Sequence, residues 1–324
     1  MYVELRAHTA FSFGDGTLAP ESLIARAAGQ GYAALALTDH ADLGGIIRFT
    51  LEAERSGLKP IAGVELDVDG YPTAFLARNA EGYRNLAALV TKARVGKIER
   101  WSDRTSQFIG AGENRSGQGP LSPRRERARV SGAAAGASAA PARLPHVLER
   151  RYAVPLPERG RPALTFEDVA AHSTGLYCLT GPATGEVSTL VRTGRAAEAA
   201  FLLDRWHDAF GPYYAVEVQL HHAGGHEAAL ATALIELAER SRVGWFVAND
   251  PRYVDGRGRL VHDLLTANRA GVSVDTAASQ GLLLPNGEWR LKSPAEMALL
   301  WKGRERGLEA TLAIADTCLP FDLG

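Results

Sequence analysis

The sequence predicts an α/β fold in which a barrel-like sheet is wrapped by helices, and three observations carry that reading. Short apolar runs alternate with stretches of helical period through the first hundred residues. The alternation resumes after residue 164. Polar residues with useful chemistry recur just beyond the apolar runs, where a (βα) barrel gathers its functional groups.

The elements follow in order. VEL (3–5) reads as a strand, and PESLIARAAGQG (20–31) as a helix with Pro20 in its first turn and Gly29 and Gly31 at its end. ALALT (34–38) is a fully apolar strand, GGIIRFTLEAERSG (44–57) a helix, KPIAGVEL (59–66) a strand and PTAFLA (72–77) another. EGYRNLAALVTKAR (81–94) is a helix with Leu86, Leu89 and Val90 on one face. Further on come a helix at 164–173 capped by Thr165, strands at 175–180, 213–220 and 243–250, and helices at 195–209, 226–241, 259–271 and from Ser293 to Thr317. About seven strands, each followed by a helix, favour a closed barrel over an open sheet, in one domain spanning 1–324.

Composition narrows the function classes. With 36 basic and 37 acidic residues the formal net charge is −1, so no global field draws the chain to nucleic acid or a membrane surface. The two cysteines, Cys178 and Cys318, are far apart and outside any CxxC pattern, which argues against a disulfide framework or a structural zinc site. No signal-peptide pattern opens the chain and no apolar run is long enough to span a bilayer, so a cytoplasmic setting without membrane partners is expected.

Residues 102–145 break the pattern. They are rich in Gly, Ser, Ala, Pro and Arg, and seven arginines against three acids give +4. Such a segment buries too little apolar surface to offset its ordering entropy, so a disordered insertion is expected. A solvated linker is its plain reading. Contact with DNA through Arg124, Arg125, Arg127 and Arg129 is the functional one.

Four apolar runs lead into histidine or carboxylate groups: His8 and Asp15, Asp39-His40, Glu65, and Asn249-Asp250. Singly, each has an ordinary explanation. A loop histidine is usually a surface group, Asp15 before Gly16 is a common turn, and Asp250 could cap the next element. Glu65 inside an apolar strand needs a partner, because an unpaired carboxylate there is costly. Together on one barrel rim they form the imidazole-carboxylate set that holds zinc, manganese or iron for phosphoester hydrolysis. His221, His222 and His226 read better as a solvent-exposed loop, and His146, His172, His207 and His262 call for no functional role. No GxSxG, Walker A or GxGxxG element is present.

The stretches YVELRAHTAFSFGDG, GYAALALTDHADLGGIIRF, GLKPIAGVEL, LARNAEGYRNLAALVTKA, GLYCLTGPATGEV and FVANDPRYVD, in this order, resemble the PHP (polymerase and histidinol phosphatase) family. They are most similar to the N-terminal PHP domain of bacterial DNA polymerase III alpha subunits and error-prone DNA polymerases. The resemblance implies a distorted seven-stranded (βα) barrel with up to three metal ions at the strand C-termini, and phosphoesterase or 3′–5′ exonuclease chemistry in active members. Carried over by position, the ligand pattern is kept at His8, Asp15, His40, Glu65 and Asp250. It is broken at Arg6, where the first histidine of an HxH pair belongs, and at Arg252, Pro72 and Pro182, which stand in place of two histidines and a cysteine.

Arginine stays protonated and cannot ligate a metal. Arg6 and Arg252 are therefore expected to replace cation charge, leaving no metal or a weakly bound divalent ion (Zn, Mn or Mg). Two functions follow from the resemblance. One is the PHP module of a C-family polymerase, acting in replication or repair as a metal-depleted scaffold for a polymerase core on a separate chain. The other is a stand-alone metal-dependent phosphoesterase or exonuclease. A polymerase acting alone is not expected.

Overall fold

In the computed structural model the described residues are 1–109 and 163–320. Six strands run in one path: β1 (Ala34–Leu37), β2 (Lys59–Val68), β3 (Tyr71–Ala77), β5 (Leu176–Leu179), β6 (Tyr214–Gln219) and β7 (Gly244–Ala248). The two-residue β4 (Ala163–Leu164) pairs with β2 off this path. The helices are α1 (Pro20–Gly29), α2 (Ile46–Arg55), α3 (Ala80–Ile109), α4 (Phe166–Ala170), α5 (Glu186–Arg192), α6 (Ala196–Phe210), α7 (Gly225–Arg240), α8 (Gly256–Ala270), α9 (Val274–Ser279), α10 (Pro294–Leu300) and α11 (Glu305–Thr317). None of the described helices is long and apolar enough to cross a membrane.

Two expectations need correcting. The chain does not place a helix after every strand, because β2 and β3 form a hairpin, paired antiparallel from Gly63↔Leu76 to Val68↔Tyr71. Its turn is Asp69-Gly70, both at positive φ (49° and 90°), the two-residue geometry that matches strand twist. As a result β3 runs against its neighbours on both sides.

The seven-stranded count also fails as stated, because the first expected strand is reduced to a bridge, Glu4↔Leu35. Its backbone still meets β1 through Ala36 N–H to Glu4 O (2.8 Å) and Thr38 N–H to Ala7 O (2.9 Å). On its other side His8 N–H donates to Pro251 O (3.2 Å), beyond the end of β7. Leu5 joins the inner apolar cluster, and the adjacent Arg6 also reaches inward to Glu65 and Glu217. Consecutive inward residues break the alternation of a strand, which accounts for the bridge.

Strand alternation separates two cores. Leu35, Leu37, Val64, Leu66, Phe75, Val216, Val218, Trp245 and Val247 face the helices. Val3, Leu5, Ala34, Ala36, Ile61, Ala74, Leu76, Leu179, Ala215, Phe246 and Ala248 line the inside. Many of these inner residues are alanine, so the interior is narrow. Further along the same inner rows come Glu65, Asp67, Glu217 and Asp250, all buried. The enclosure therefore has an apolar floor and a charged mouth. α11 closes the floor with Ile314, Ala315 and Cys318.

Local rules account for the helix ends. Thr165 caps α4 as its sequence predicts: its hydroxyl accepts from Asp168 N (3.2 Å) and Asp168 Oδ2 accepts from Thr165 N (3.1 Å). α3 continues past residue 94 to Ile109, into the first residues of the expected insertion. The remainder of that segment, with Arg124, Arg125, Arg127 and Arg129, lies outside the described residues.

Close helix-to-sheet packing fixes α11. A Cβ added at Gly307 would run into the Trp245 ring and lie 2.7 Å from Val247 Cγ1. Gly307→Val is expected to lower stability by about 1–3 kcal/mol, the usual cost of overpacking. The midpoint of urea unfolding measures it, and an unchanged midpoint would contradict this packing.

Candidate functional site

The charged mouth is built on five strand ends. Arg6 and His8 come from the segment beside β1, Asp39 and His40 follow β1, Glu65 lies in β2, Glu217 in β6, and Asp250 and Arg252 follow β7. The loop after His8 adds Asp15, and α8 adds His262.

Arg6 is the centre. Its guanidinium is fully buried and forms an ion pair with Glu65, a second with Glu217 (Nη1 to Oε2, 3.0 Å) and a third with Asp250 (Nε to Oδ1, 3.4 Å). Arg252, also buried, bridges Asp250 (Nη2 to Oδ2, 2.7 Å) and Asp15 (Nη1 to Oδ2, 2.5 Å). Two guanidinium groups thus serve four carboxylates. At the effective dielectric of a protein, unit charges 4 Å apart interact by about 4 kcal/mol. Removing each ion from water costs several kcal/mol. The cluster closes energetically because each cation contacts more than one anion.

The histidines sit around this core. His8 Nε2 lies 3.2 Å from Asp250 Oδ1 and 3.9 Å from Glu65 Oε2, and its Nδ1 is 2.8 Å from Ser12 Oγ. His40, at the partly open edge, places Nδ1 3.2 Å from Glu65 Oε1. Asp39 does not face the cluster. It accepts from Thr9 N–H (2.7 Å), Thr9 Oγ1 (2.6 Å) and Ser12 Oγ (2.7 Å), and so holds the loop that carries His8.

The electrostatics favour a fixed charge pattern. Burial pushes the Asp250 carboxyl up, but the guanidiniums of Arg252 and Arg6 outweigh it and hold the group well below the usual carboxylate range. Burial, reinforced by Arg252, pulls His8 down to about 4, so its imidazole is neutral near pH 7. Burial pushes Glu217 up despite Arg6. Glu4, buried beneath the cluster, is pushed by burial up to about 8 and accepts from Tyr2 Oη (2.7 Å), Asn249 N–H (3.1 Å) and Arg6 N–H (3.2 Å).

All seven residues singled out in the sequence as ligands or replacement cations (Arg6, His8, Asp15, His40, Glu65, Asp250 and Arg252) meet in this one cluster. Pro72 pairs across the hairpin with Asp67, and Pro182 lines a cavity of about 30 Å³ beside Glu217 and Asp250, room for one water. Three partners escaped sequence reasoning. Glu217 lies in YYAVEVQL, a carboxylate inside an apolar strand, the same signal that marks Glu65. His262 contacts Asp15 (Nε2 to Oδ1, 3.2 Å) across 247 residues, which no local pattern reveals. His221 is buried rather than solvent-exposed: it stacks on Trp289 with ring centroids 3.9 Å apart and lies 2.7 Å from Asn249 O through Nε2. Its neighbours His222 and His226 are exposed, as expected.

These side chains do not fit a bound metal ion. The Arg6 guanidinium lies among Glu65, Glu217 and Asp250, the carboxylates an ion would use. Among the described residues no group of three or more His, Cys, Asp and Glu side chains is arranged to hold one.

Comparison with known proteins agrees with the order of the motifs. Residues 4–112 match the PHP domain family. These residues are a PHP domain. The chain is 33% identical over 323 residues, 98% of its length, to an error-prone DNA polymerase of Anaeromyxobacter sp. (strain K), covering 22% of that protein. It is 31% identical to the error-prone DNA polymerase of Symbiobacterium thermophilum, over 98% of the chain and 25% of the relative. It is 26% identical to DNA polymerase III subunit alpha of Pseudomonas aeruginosa, over 98% of the chain and 22% of the relative. The chain therefore spans about a quarter or less of these polymerases. An amidohydrolase from Chromobacterium violaceum aligns over 77% of the chain, and 87% of its own, at 19% identity with a TM-score of 0.44, too loosely to decide a fold or an activity.

Acid sensitivity of the PHP cluster follows from the shifts. His8 has its folded value near 4, below its ordinary 6.5, so it contributes stability that is present above 6.5 and lost as the pH falls towards 4. His8→Gln is expected to flatten the stability-pH profile in that window, read from urea midpoints. A profile identical to wild type would show that His8 titrates normally.

Proposed function

We propose that this chain is the PHP module of a C-family DNA polymerase, one domain acting in replication or repair as a scaffold with little or no bound metal. In this reading its polymerase core is a separate chain. Arg6 and Arg252 supply the positive charge that divalent ions give at this rim in metal-binding members of the family. The carrying observation is the buried Arg6 guanidinium paired with Glu65, Glu217 and Asp250. The polymerase relatives, several times longer than the chain, give the context of replication or repair.

A guanidinium does this structural work without chemistry. It carries no exchangeable ligand position, generates no hydroxide, and keeps its charge at any pH the fold survives. Metal-assisted phosphoester hydrolysis needs an ion that activates water and polarises the ester, and Arg6 holds the space among the carboxylates where such an ion would sit. A divalent ion retained weakly at the open edge, near His40, would leave this scaffold role intact.

Protein purified without chelator is expected to carry fewer than about one tightly bound zinc, manganese or magnesium ion per chain by elemental analysis. In manganese it is expected to show no nuclease activity that His40→Ala abolishes. Stoichiometric metal together with a His40-dependent nuclease would replace this reading with that of a metal-dependent phosphoesterase or exonuclease.

A further inference from the structure

Helix α8 follows directly from the loop that carries Asp250 and Arg252, and it packs on α9 and on the loop after His8 rather than broadly on the sheet. Asp255 caps its start by accepting from Arg257 N–H (2.9 Å) and Gly258 N–H (3.0 Å), and Gly271, left-handed at φ 67°, ends it. One side is satisfied. His262, Asp263, Thr266 and Ala267 are buried, with His262 on Asp15 and Ala267 against Ala277 and Leu282.

The opposite side is apolar and open. Leu260, Val261 and Leu264 are 66%, 46% and 58% exposed at i, i+1 and i+4 of the same helix. The loop held against α8 by the Asp15–His262 contact also presents Phe13, 97% exposed. Next to Phe13, Gly14 approaches the Arg269 side chain. A helix exposed to water normally turns polar residues outward, and large apolar side chains gathered on one element mark a surface that is covered in the working assembly.

Charge selects the occupant. α8 carries Arg257, Arg259 and Arg269 against one acid, Asp263, so three minus one gives +2. Asp263 is turned inward, 3.7 Å from Arg259 Nε. Two copies of this chain meeting through α8 would set arginine against arginine. A partner surface that is apolar at its centre and edged with carboxylates satisfies both features. The relatives show where such a partner would come from: the region homologous to this chain is 22% to 25% of their length, and the rest is polymerase outside it.

We propose that the exposed face of α8, with Phe13 beside it, is the seat of the polymerase core, which meets it with an apolar surface rimmed by acidic residues. This rests on the scaffold reading above. It also gives the cluster a mechanical role, since the Arg252–Asp15–His262 chain of contacts ties α8 to the neutralised mouth and fixes the orientation of the docking face.

The test uses the C-family polymerase core of the same genome, produced without its own PHP region, titrated calorimetrically with the full chain. Wild type is expected to bind, and Leu260→Asp/Leu264→Asp to weaken binding by about 30-fold or more, the effect of losing central apolar anchors. Phe13→Ser is expected to weaken it less. Leu299→Asp, an equally exposed residue on α10, should leave it unchanged. Circular dichroism melts establish that the variants are folded. Binding undiminished in the α8 double variant overturns this surface and leaves the scaffold reading standing. No binding by wild type overturns the separate-core reading and this proposal with it. Loss of duplex DNA binding or of self-association in the double variant, with core binding intact, likewise overturns the assignment of the occupant.

Discussion

The structure turns on one buried cation. Arg6 delivers positive charge to a point where carboxylates from β2, β6 and the end of β7 converge, in an enclosure too narrow for water to do the same work. Without it, Glu65, Glu217 and Asp250 would face one another across a low-dielectric space and could not all ionise. Arg252 extends the arrangement outward to Asp15, and through Asp15 to His262. Strand ends from opposite parts of the sheet are thus joined by side-chain charge at the mouth, while apolar contact joins them at the floor.

This division explains why the barrel tolerates an irregular first strand. The segment at 3–8 gives up regular pairing to bring both Leu5 and Arg6 inside, and replaces the lost ladder with Glu4, whose carboxyl gathers Tyr2, Asn249 and the Arg6 amide. Burial that keeps Glu4 near 8 leaves it largely protonated at neutral pH, so it adds little further negative charge beneath a mouth already rich in carboxylates. Charge economy, more than hydrogen-bonded strand geometry, sets the path of the chain here.

Much of this was legible in the sequence because it depends on local pattern. The apolar runs ALAL and GVEL, Pro20 at the start of α1 and the Thr165 cap each obey rules of a few residues, and the ligand-type residues were visible as polar groups ending apolar runs. The hairpin was signalled by Asp69-Gly70, though counting strands and helices in alternation hid it. Glu217 bore the same mark as Glu65 and was passed over because no neighbouring histidine drew notice. His262 and the His221–Trp289 stack depend on contacts between distant segments, and nothing local encodes those. The bridge in place of a first strand was hidden too, since VEL has every propensity of a strand and departs from one only to seat Arg6.

The central claim is that Arg6 does the neutralising work of a divalent ion. The most direct measurement compares the urea stability of wild type and Arg6→Met, each with and without manganese. Wild type should be unmoved by manganese, whereas the variant should lose about 3–5 kcal/mol, the usual cost of breaking a buried ion pair, and regain part of it when the ion is added. Manganese stabilisation of the wild type, or a variant as stable as wild type without the ion, would contradict the account.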